Sequence, residues 1–528
     1  MQILKHLAYP THFRYQFFLT LASILLYFLS MPGSPLPLLT WIVIVPIALA
    51  INNTSPRRSA FLFYVATTGG ILSVIWWLMP AIIDFTQLNQ YLAFLVLIVF
   101  SLILAIPYAV IGWLVAYKQW LNKPYGVLLF SACFVVVVTL FPTPLPGNHA
   151  HSLYEYPLFL QVLGLGGVPM ILFVVVYVNL QIAQFIMKLG ANRKLAGCEL
   201  LKGMAMVALV SLYGAWQLEQ YEHQDEQGQS LKIGIIQPKL LREDSLDRLY
   251  SMTEELVAQN PSVDLLVWPE FPTAFSYVGN RQDRMKVNKL IAKLNKPMVI
   301  VSGYIYERGV DPDNPLSRYF NTAHLIDQNR ALKANYSKQI LVPFFEYIPN
   351  EDAFPFLRKL FPDTHRYVPG NQTTLFHFDD HVRLIPLICY EVVFPSMTQD
   401  FIEKGGNIII NLTNDIWLGD TKGSIYHFAM GLFRTIEHRV PWVRATNSGI
   451  SASVSAAGVI NQESLTAVQS QDMRVYDVVI PAKRSFYSRY GDVFFVILVL
   501  IFLIGLFDKR LGYLTKKLDP RSSSKASD

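Results

Sequence analysis

Charge is what this sequence has least of. Asp, Glu, Lys and Arg make up only 16% of 528 residues, against 52% hydrophobic, and the mean hydropathy is positive. Such a balance excludes a wholly soluble chain and implies long apolar spans in a membrane. Cysteine is also scarce. Cys133, Cys198 and Cys389 cannot all pair, and the first two lie in or beside apolar runs, which argues against a disulfide framework and leaves Cys389 available as a free thiol. Metal-ligand patterns are lacking as well: His149 and His151 stand without Cys or carboxylate companions. The glycines of Gly164–Gly167 have no lysine or strand context for a phosphate loop, and suit close helix packing instead. The net charge of +6 is modest, so the placement of basic residues carries more information than their sum.

Residues 1–217 form apolar runs separated by short polar joints. Spans are expected at about Tyr15–Met31, Leu36–Ile51, Ala60–Ile83, Tyr91–Tyr117, Tyr125–Phe141, Val168–Met187 and Leu200–Trp216, with Pro37 and Pro46 interrupting the second. The first run is read as retained, because further spans follow and no small-residue cleavage site does. An eighth run covers Val493–Phe507. Basic residues occupy alternate joints: Lys5 and Arg14 before the first span, Arg57 and Arg58 after the second, Lys118 and Lys123 after the fourth, and Lys188, Arg193 and Lys194 after the sixth. Positive joints face the cytoplasm. Both termini are therefore expected inside, with the block between spans seven and eight on the far side. The last stretch, 509–528, reads as a basic cytoplasmic tail suited to anionic headgroups rather than nucleic acid.

From 231 to 484, after a linker at 218–230, the pattern changes to alternating strands and helices. Strand-like runs are Lys232–Gln237, Asp264–Trp268, Pro297–Tyr304, Arg383–Ile388 and Asn407–Asn411, with further strands within Val443–Val459 and Met473–Val479. Ser245–Gln259, Arg281–Leu294 and Ser424–His438 read as helices. Such alternation implies a layered sheet covered by helices. The expected fold is thus a multi-pass α-helical membrane domain of about eight spans (1–217 and 485–508) plus an extramembrane α/β domain.

Three stretches in that domain carry chemistry. RLIPLICYEVVFP places Cys389 directly after a buried strand; LVWPEF places Glu270 just past another; YSKQILVPFFEYIP places Lys338 before an apolar run, with Glu346 eight residues on. Taken singly, each has an ordinary reading as a buried thiol or a surface charge. Together they form a chemical set. A carboxylate in an apolar pocket can become basic enough to take the thiol proton. An ammonium can lower the thiol pKa and stabilise the oxyanion formed at a carbonyl. Covalent acyl transfer through a thioester follows from these parts.

These motifs resemble the nitrilase (carbon–nitrogen hydrolase) superfamily and, more closely, the bacterial apolipoprotein N-acyltransferases. NLTNDIWLG, the His427 helix and RATNSGISA extend the similarity, which covers nearly the whole chain. The resemblance implies an αββα sandwich with Glu270 as general base, Lys338 as oxyanion stabiliser and Cys389 as nucleophile. Glu346, Tyr390 and Glu391 match supporting positions, and Trp417 matches an aromatic near the substrate entrance. It implies a phospholipid acyl donor, a diacylglyceryl apolipoprotein acceptor, no metal or other cofactor, and a monomer in the bacterial inner membrane with its catalytic domain in the periplasm. Two alternatives share these residues: a membrane-tethered amidase that hydrolyses the thioester, and a catalytically degenerate lipid-binding paralogue. Three departures bear on substrate preference. PFFEY replaces the usual PFGEY, so if that glycine needs a positive φ, Phe345 is strained or the loop has shifted. Gln237–Leu249 lacks an expected tryptophan, and DTKGSIYHF lacks a Gly-Pro.

Overall fold

The computed structural model describes residues 13–225, 228–241, 244–270, 275–306 and 318–507. Lys5, Phe271 and the basic 509–528 segment lie outside the described residues. Among the described residues, five helices are long and apolar enough to cross a membrane by length and composition: Phe13–Ser30, Pro56–Thr86, Gln90–Tyr117, Leu163–Leu189 and Arg193–Tyr221. Three shorter apolar helical stretches, Pro37–Ala50, Gly126–Leu140 and Val493–Phe507, complete the helical part. The helix beginning at Arg193 continues to Asp225, into the segment read as a linker, and the first strand begins at Gln229.

The prolines in the second apolar run break it into a 3-10 turn at Pro37–Trp41 and a short helix at Val45–Ala50. A broken helix frees backbone groups that an apolar setting cannot hydrate. Asn179, fully buried on the Leu163–Leu189 helix, supplies partners for two of them. Its Oδ1 accepts from the Ile44 amide at 2.8 Å, and its Nδ2 donates to the Thr40 carbonyl at 2.9 Å. Gly166 and Gly167 kink the Leu163–Leu189 helix, and a Cβ on Gly166 would meet Phe494 of the last apolar helix at 2.7 Å. The glycines therefore permit the close approach that the sequence suggests. His149 and His151 are buried, each against an aromatic ring. His151 stacks on Phe433 at 4.5 Å, and its Nδ1 accepts from the Asn148 amide.

Among the described residues, eleven strands build the rest: β1 (Gln229–Gln237), β2 (Leu265–Val267), β3 (Met298–Tyr306), β4 (Tyr319–Ile326), β5 (Leu332–Ser337), β6 (Phe376–His377), β7 (Arg383–Ile388), β8 (Ile408–Thr413), β9 (Trp442–Thr446), β10 (Ala452–Val454) and β11 (Asp472–Ile480). One sheet has the order β11-β1-β2-β3-β4-β5 and the other β10-β9-β8-β7-β6. The pleat sorts the side chains of the first sheet. Ile233, Ile235, Leu265 and Val267 join the core shared with the second sheet, while Ile236 and Leu266 face an outer cluster with helices Asp247–Gln259 and Arg281–Leu294. On the second sheet, the helix Gly423–His438 packs through Phe428 against Trp442, with ring centroids 5.2 Å apart. The result is an αββα sandwich. A buried polar knot crosses between its sheets: the Gln237 Oε1 accepts from Thr446, Ser451 and Thr466 hydroxyls at 2.7–2.8 Å.

Candidate active site

Chain connectivity brings four strand ends together. β2, β5, β7 and β8 all finish at one end of the sandwich, and the polypeptide leaves each through a turn. Carboxyl ends of strands are where an α/β fold presents side chains to a ligand. Cys389 is the first residue after β7. It holds a φ of 52°, a left-handed conformation that a non-glycine residue keeps only when its surroundings enforce it, at about 1–3 kcal/mol.

The enforcing groups can be named. His427 Nε2 lies 3.2 Å from the Cys389 carbonyl oxygen, and Asn411 Nδ2 donates to the same oxygen at 3.2 Å. His427 is itself held by Asp415 (Nδ1 to Oδ1, 3.1 Å), which pairs with Arg444 at 2.7 Å. Despite full burial, which favours the neutral acid, Arg444 and His427 hold the Asp415 carboxyl down at about 2. Burial and the Arg444 charge lower the His427 pKa, against the pull of Asp415 and the Cys389 carbonyl. Glu391 fastens the turn from the other side. Its Oε2 accepts from the Ile388 amide at 2.9 Å. Its Oε1 accepts from the Tyr336 hydroxyl and Gln339 amide, both at 2.6 Å, and from the Ile340 amide at 3.3 Å. Burial pushes this carboxyl up to about 7 against those donors.

The three residues singled out for chemistry converge here. Glu270 follows β2, and its carboxylate accepts from Asn321 Nδ2 at 2.6 Å and from the Asn414 amide at 3.1 Å. The Cys389 thiol neighbours the same carboxylate, and each raises or lowers the other's pKa. Burial raises the Glu270 pKa, Lys338 opposes that rise, and Glu346 adds to it. Lys338 follows β5, with its side chain wholly buried. Burial works against its charge, but Glu346, Cys389 and Glu270 outweigh it and hold the ammonium protonated. Its Nζ donates to Glu346 Oε1 at 2.7 Å, and Glu346 Oε2 accepts from the Val342 amide at 2.8 Å. Burial, with Glu270 beside it, pushes the Cys389 thiol well above its ordinary range, more than Lys338 pulls it down. The arrangement therefore holds a neutral thiol against a basic carboxylate, with a fixed cation alongside. Such a site can pass a proton as sulfur attacks a carbonyl.

Cys389 opens on an apolar cavity of about 360 Å³ that both parts of the molecule line. The helical part contributes Trp77, Phe85 and Phe100; the sandwich contributes Phe345, Trp417 and His427. Tyr390 also lines it, and its hydroxyl donates to the Pro144 carbonyl in a joint of the helical part. Glu391 does not reach the cavity. In the Val342–Tyr347 turn the left-handed residue is Phe344, at φ 66°, so the strain expected at Phe345 sits one position earlier. Phe344 is exposed, and its amide donates to the Tyr347 carbonyl at 2.7 Å, which closes the turn.

Asn321, Asn414, Asp415 and Arg444 were not singled out from the sequence. Their signal was there: polar residues inside or just after apolar strand runs, in YFNTAHLI, NLTND and WVRATN. A buried polar residue must find partners, and here the partners are the candidate site residue Glu270 and the groups that hold the Cys389 turn.

The apolipoprotein N-acyltransferase N-terminal domain matches residues 23–181, and the carbon-nitrogen hydrolase family matches residues 231–470. An apolipoprotein N-acyltransferase of Geobacter metallireducens is 26% identical over 91% of this chain and 92% of its own length. One from Brucella melitensis is 29% identical over 89% of each. Among solved structures, an amidase of Nesterenkonia sp. AN1 aligns with 49% of this chain and 96% of its own at 18% identity, with a TM-score of 0.36. Full-length agreement with these relatives, across both matched regions, shows that the chain belongs to the apolipoprotein N-acyltransferase family.

Proposed function

We propose that this protein transfers an acyl chain from a membrane phospholipid, through a thioester on Cys389, to the α-amino group of the diacylglyceryl-cysteine at the start of an apolipoprotein. Glu270 takes the thiol proton as sulfur attacks the ester carbonyl carbon. Lys338 stabilises the oxyanion, and Glu346 keeps Lys338 charged and in place. The C–O bond breaks, Glu270 returns the proton to the departing oxygen, and a lysophospholipid leaves. The acceptor amine then attacks the thioester, Glu270 accepts its proton, and the thiol is restored as the amide forms. Tyr390 and Trp417 border the space the lipids occupy, and Glu391 positions Cys389. The alternate basic joints support a topology with both ends of the chain in the cytoplasm and the sandwich on the outer face of the inner membrane. The protein works as a monomer.

One observation carries this reading: the thiol opens on an apolar cavity walled jointly by membrane helices and the sandwich. A small polar amide gains nothing from such a wall, whereas a phospholipid acyl chain does. The test is an acyl trap. Protein and Cys389→Ala are incubated with phospholipid labelled in its acyl chain and no acceptor. Label should stay on the wild-type chain alone, come off with neutral hydroxylamine, and move to the amine of an added diacylglyceryl peptide. Label released as free fatty acid in the presence of that peptide would make the protein a hydrolase.

A further inference from the structure

Resting on that reading, we propose that Phe345 is a specificity-determining residue: with Phe85 and Trp417 it forms an aromatic wall that sets the girth of the acyl segment next to the scissile carbonyl. The three rings come from three separate places. Phe85 lies on the helix Met79–Thr86 of the membrane part, Trp417 in the short turn after β8, and Phe345 in the turn that carries Glu346. The Phe345 ring meets that of Phe85 at 4.6 Å edge to face and that of Trp417 at 5.2 Å. All three border the cavity on which Cys389 opens.

Two features make this wall selective rather than incidental. The turn is pinned: the Glu346 amide donates to the Val342 carbonyl at 2.9 Å, and the His365 and Tyr367 amides donate to the carbonyls of Phe345 and Glu346 at 3.2 and 3.0 Å. Phe345 cannot retreat by backbone movement without disturbing Glu346, and Glu346 holds Lys338 at 2.7 Å. Geometry also fixes what the wall meets. An ester carbonyl must sit at Cys389, so the first methylenes of its chain run along the cavity surface beside the sulfur. Aromatic rings are rigid and cannot reshape around a branch or a bend as methionine or leucine would. The wall therefore favours straight chains near the carbonyl.

The experiment compares two donors, a straight-chain phospholipid and one of equal carbon count branched near its carbonyl. Thioester formation is measured for wild type, Phe345→Leu and Phe345→Ala. Wild type should prefer the straight chain. Phe345→Ala should shift the ratio of kcat/KM toward the branched donor by about tenfold or more, with Phe345→Leu between them. An unchanged ratio in variants that still acylate with the straight donor would overturn the proposal. If wild type forms no thioester with either donor, the transferase reading itself fails, which is a different result. Thermal midpoints of the variants exclude misfolding, and Phe345→Leu keeps the test valid if Phe345→Ala does not fold.

Discussion

At the scale of one residue, Glu270 faces conflicting demands as the proposed general base. A general base must be ionised, yet basic enough to take a proton from a thiol that burial has made a poor acid. Burial and the Glu346 charge raise its pKa, while Lys338 and the Asn321 amide oppose that rise. The sign of the resulting pH dependence follows. Activity needs the carboxylate, so kcat/KM for thioester formation rises with pH as Glu270 loses its proton. Because its pKa is raised, that rise should lie above the ordinary carboxylate value of 4.5. Glu270→Gln keeps the shape and the Asn321 contact but removes the base. It should cost about 10²–10⁴ in kcat/KM and abolish this limb of the profile. A pH profile measured with a water-soluble thioester donor would check both. Retention of the limb in Glu270→Gln would assign it to another group.

At the scale of elements, the site is a set of strand ends tied to one another. Glu391 joins the turn after β7 to the residues around and after β5, since Ile388 lies on one side and Tyr336, Gln339 and Ile340 on the other. Cys389 and Lys338 are thereby held in mutual register by a carboxylate that touches neither substrate nor cavity. Replacing it with Gln leaves a side-chain amide facing donors, which should cost about 1–3 kcal/mol, the penalty for buried polar groups left unpaired. Glu391→Gln should lower the thermal midpoint and reduce kcat more than KM. Tyr336→Phe, which removes one donor and leaves the carboxylate, should show a smaller loss of the same kind. Equal losses in kcat and KM would instead point to general loosening. The sequence made the strands that present these residues legible wherever the runs were apolar and β-branched, as in β1, β7 and β8. It hid β4, where Asn321, Thr322 and His324 sit buried and break up the apolar run that marks the other strands. Glu270 and Cys389 were legible because each follows an apolar strand run, whereas β5, which ends just before Lys338, was not read as a strand, and Lys338 stood out by the apolar run after it. Their supports were not, because a partner such as Asn321 is set by pairing between strands far apart in sequence.

At the scale of the whole molecule, the cavity exists only while sandwich and helices keep their relative position, so the contacts between them belong to the site. One such contact runs through Arg439, just past the helix Gly423–His438, where φ is 56°. Its guanidinium is almost wholly buried; Nη1 donates to Gln161 Oε1 at 2.6 Å, Nη2 to Gln217 Oε1 at 3.2 Å, and the group lies over the Tyr221 ring at 4.3 Å. All three partners belong to the helical part. A second tie comes from Glu437, whose Oε1 accepts from the Val168 amide at 3.2 Å. An arginine among neutral partners keeps its charge through hydrogen bonds and ring contact, each such bond being worth about 1.5–3 kcal/mol. Arg439→Met preserves much of the volume and removes the bonds. It should lower the thermal midpoint of the full-length protein in detergent. It should also slow thioester formation from long-chain phospholipid more than from a short water-soluble thioester, because only the former needs the wall that the helices supply. Equal slowing with both donors would mean that Arg439 supports the sandwich itself rather than its seat on the membrane part. A change confined to the long-chain donor would establish that lipid selection is a property of the seam between the two parts, and that Cys389 depends on that seam for its substrate more than for its reactivity.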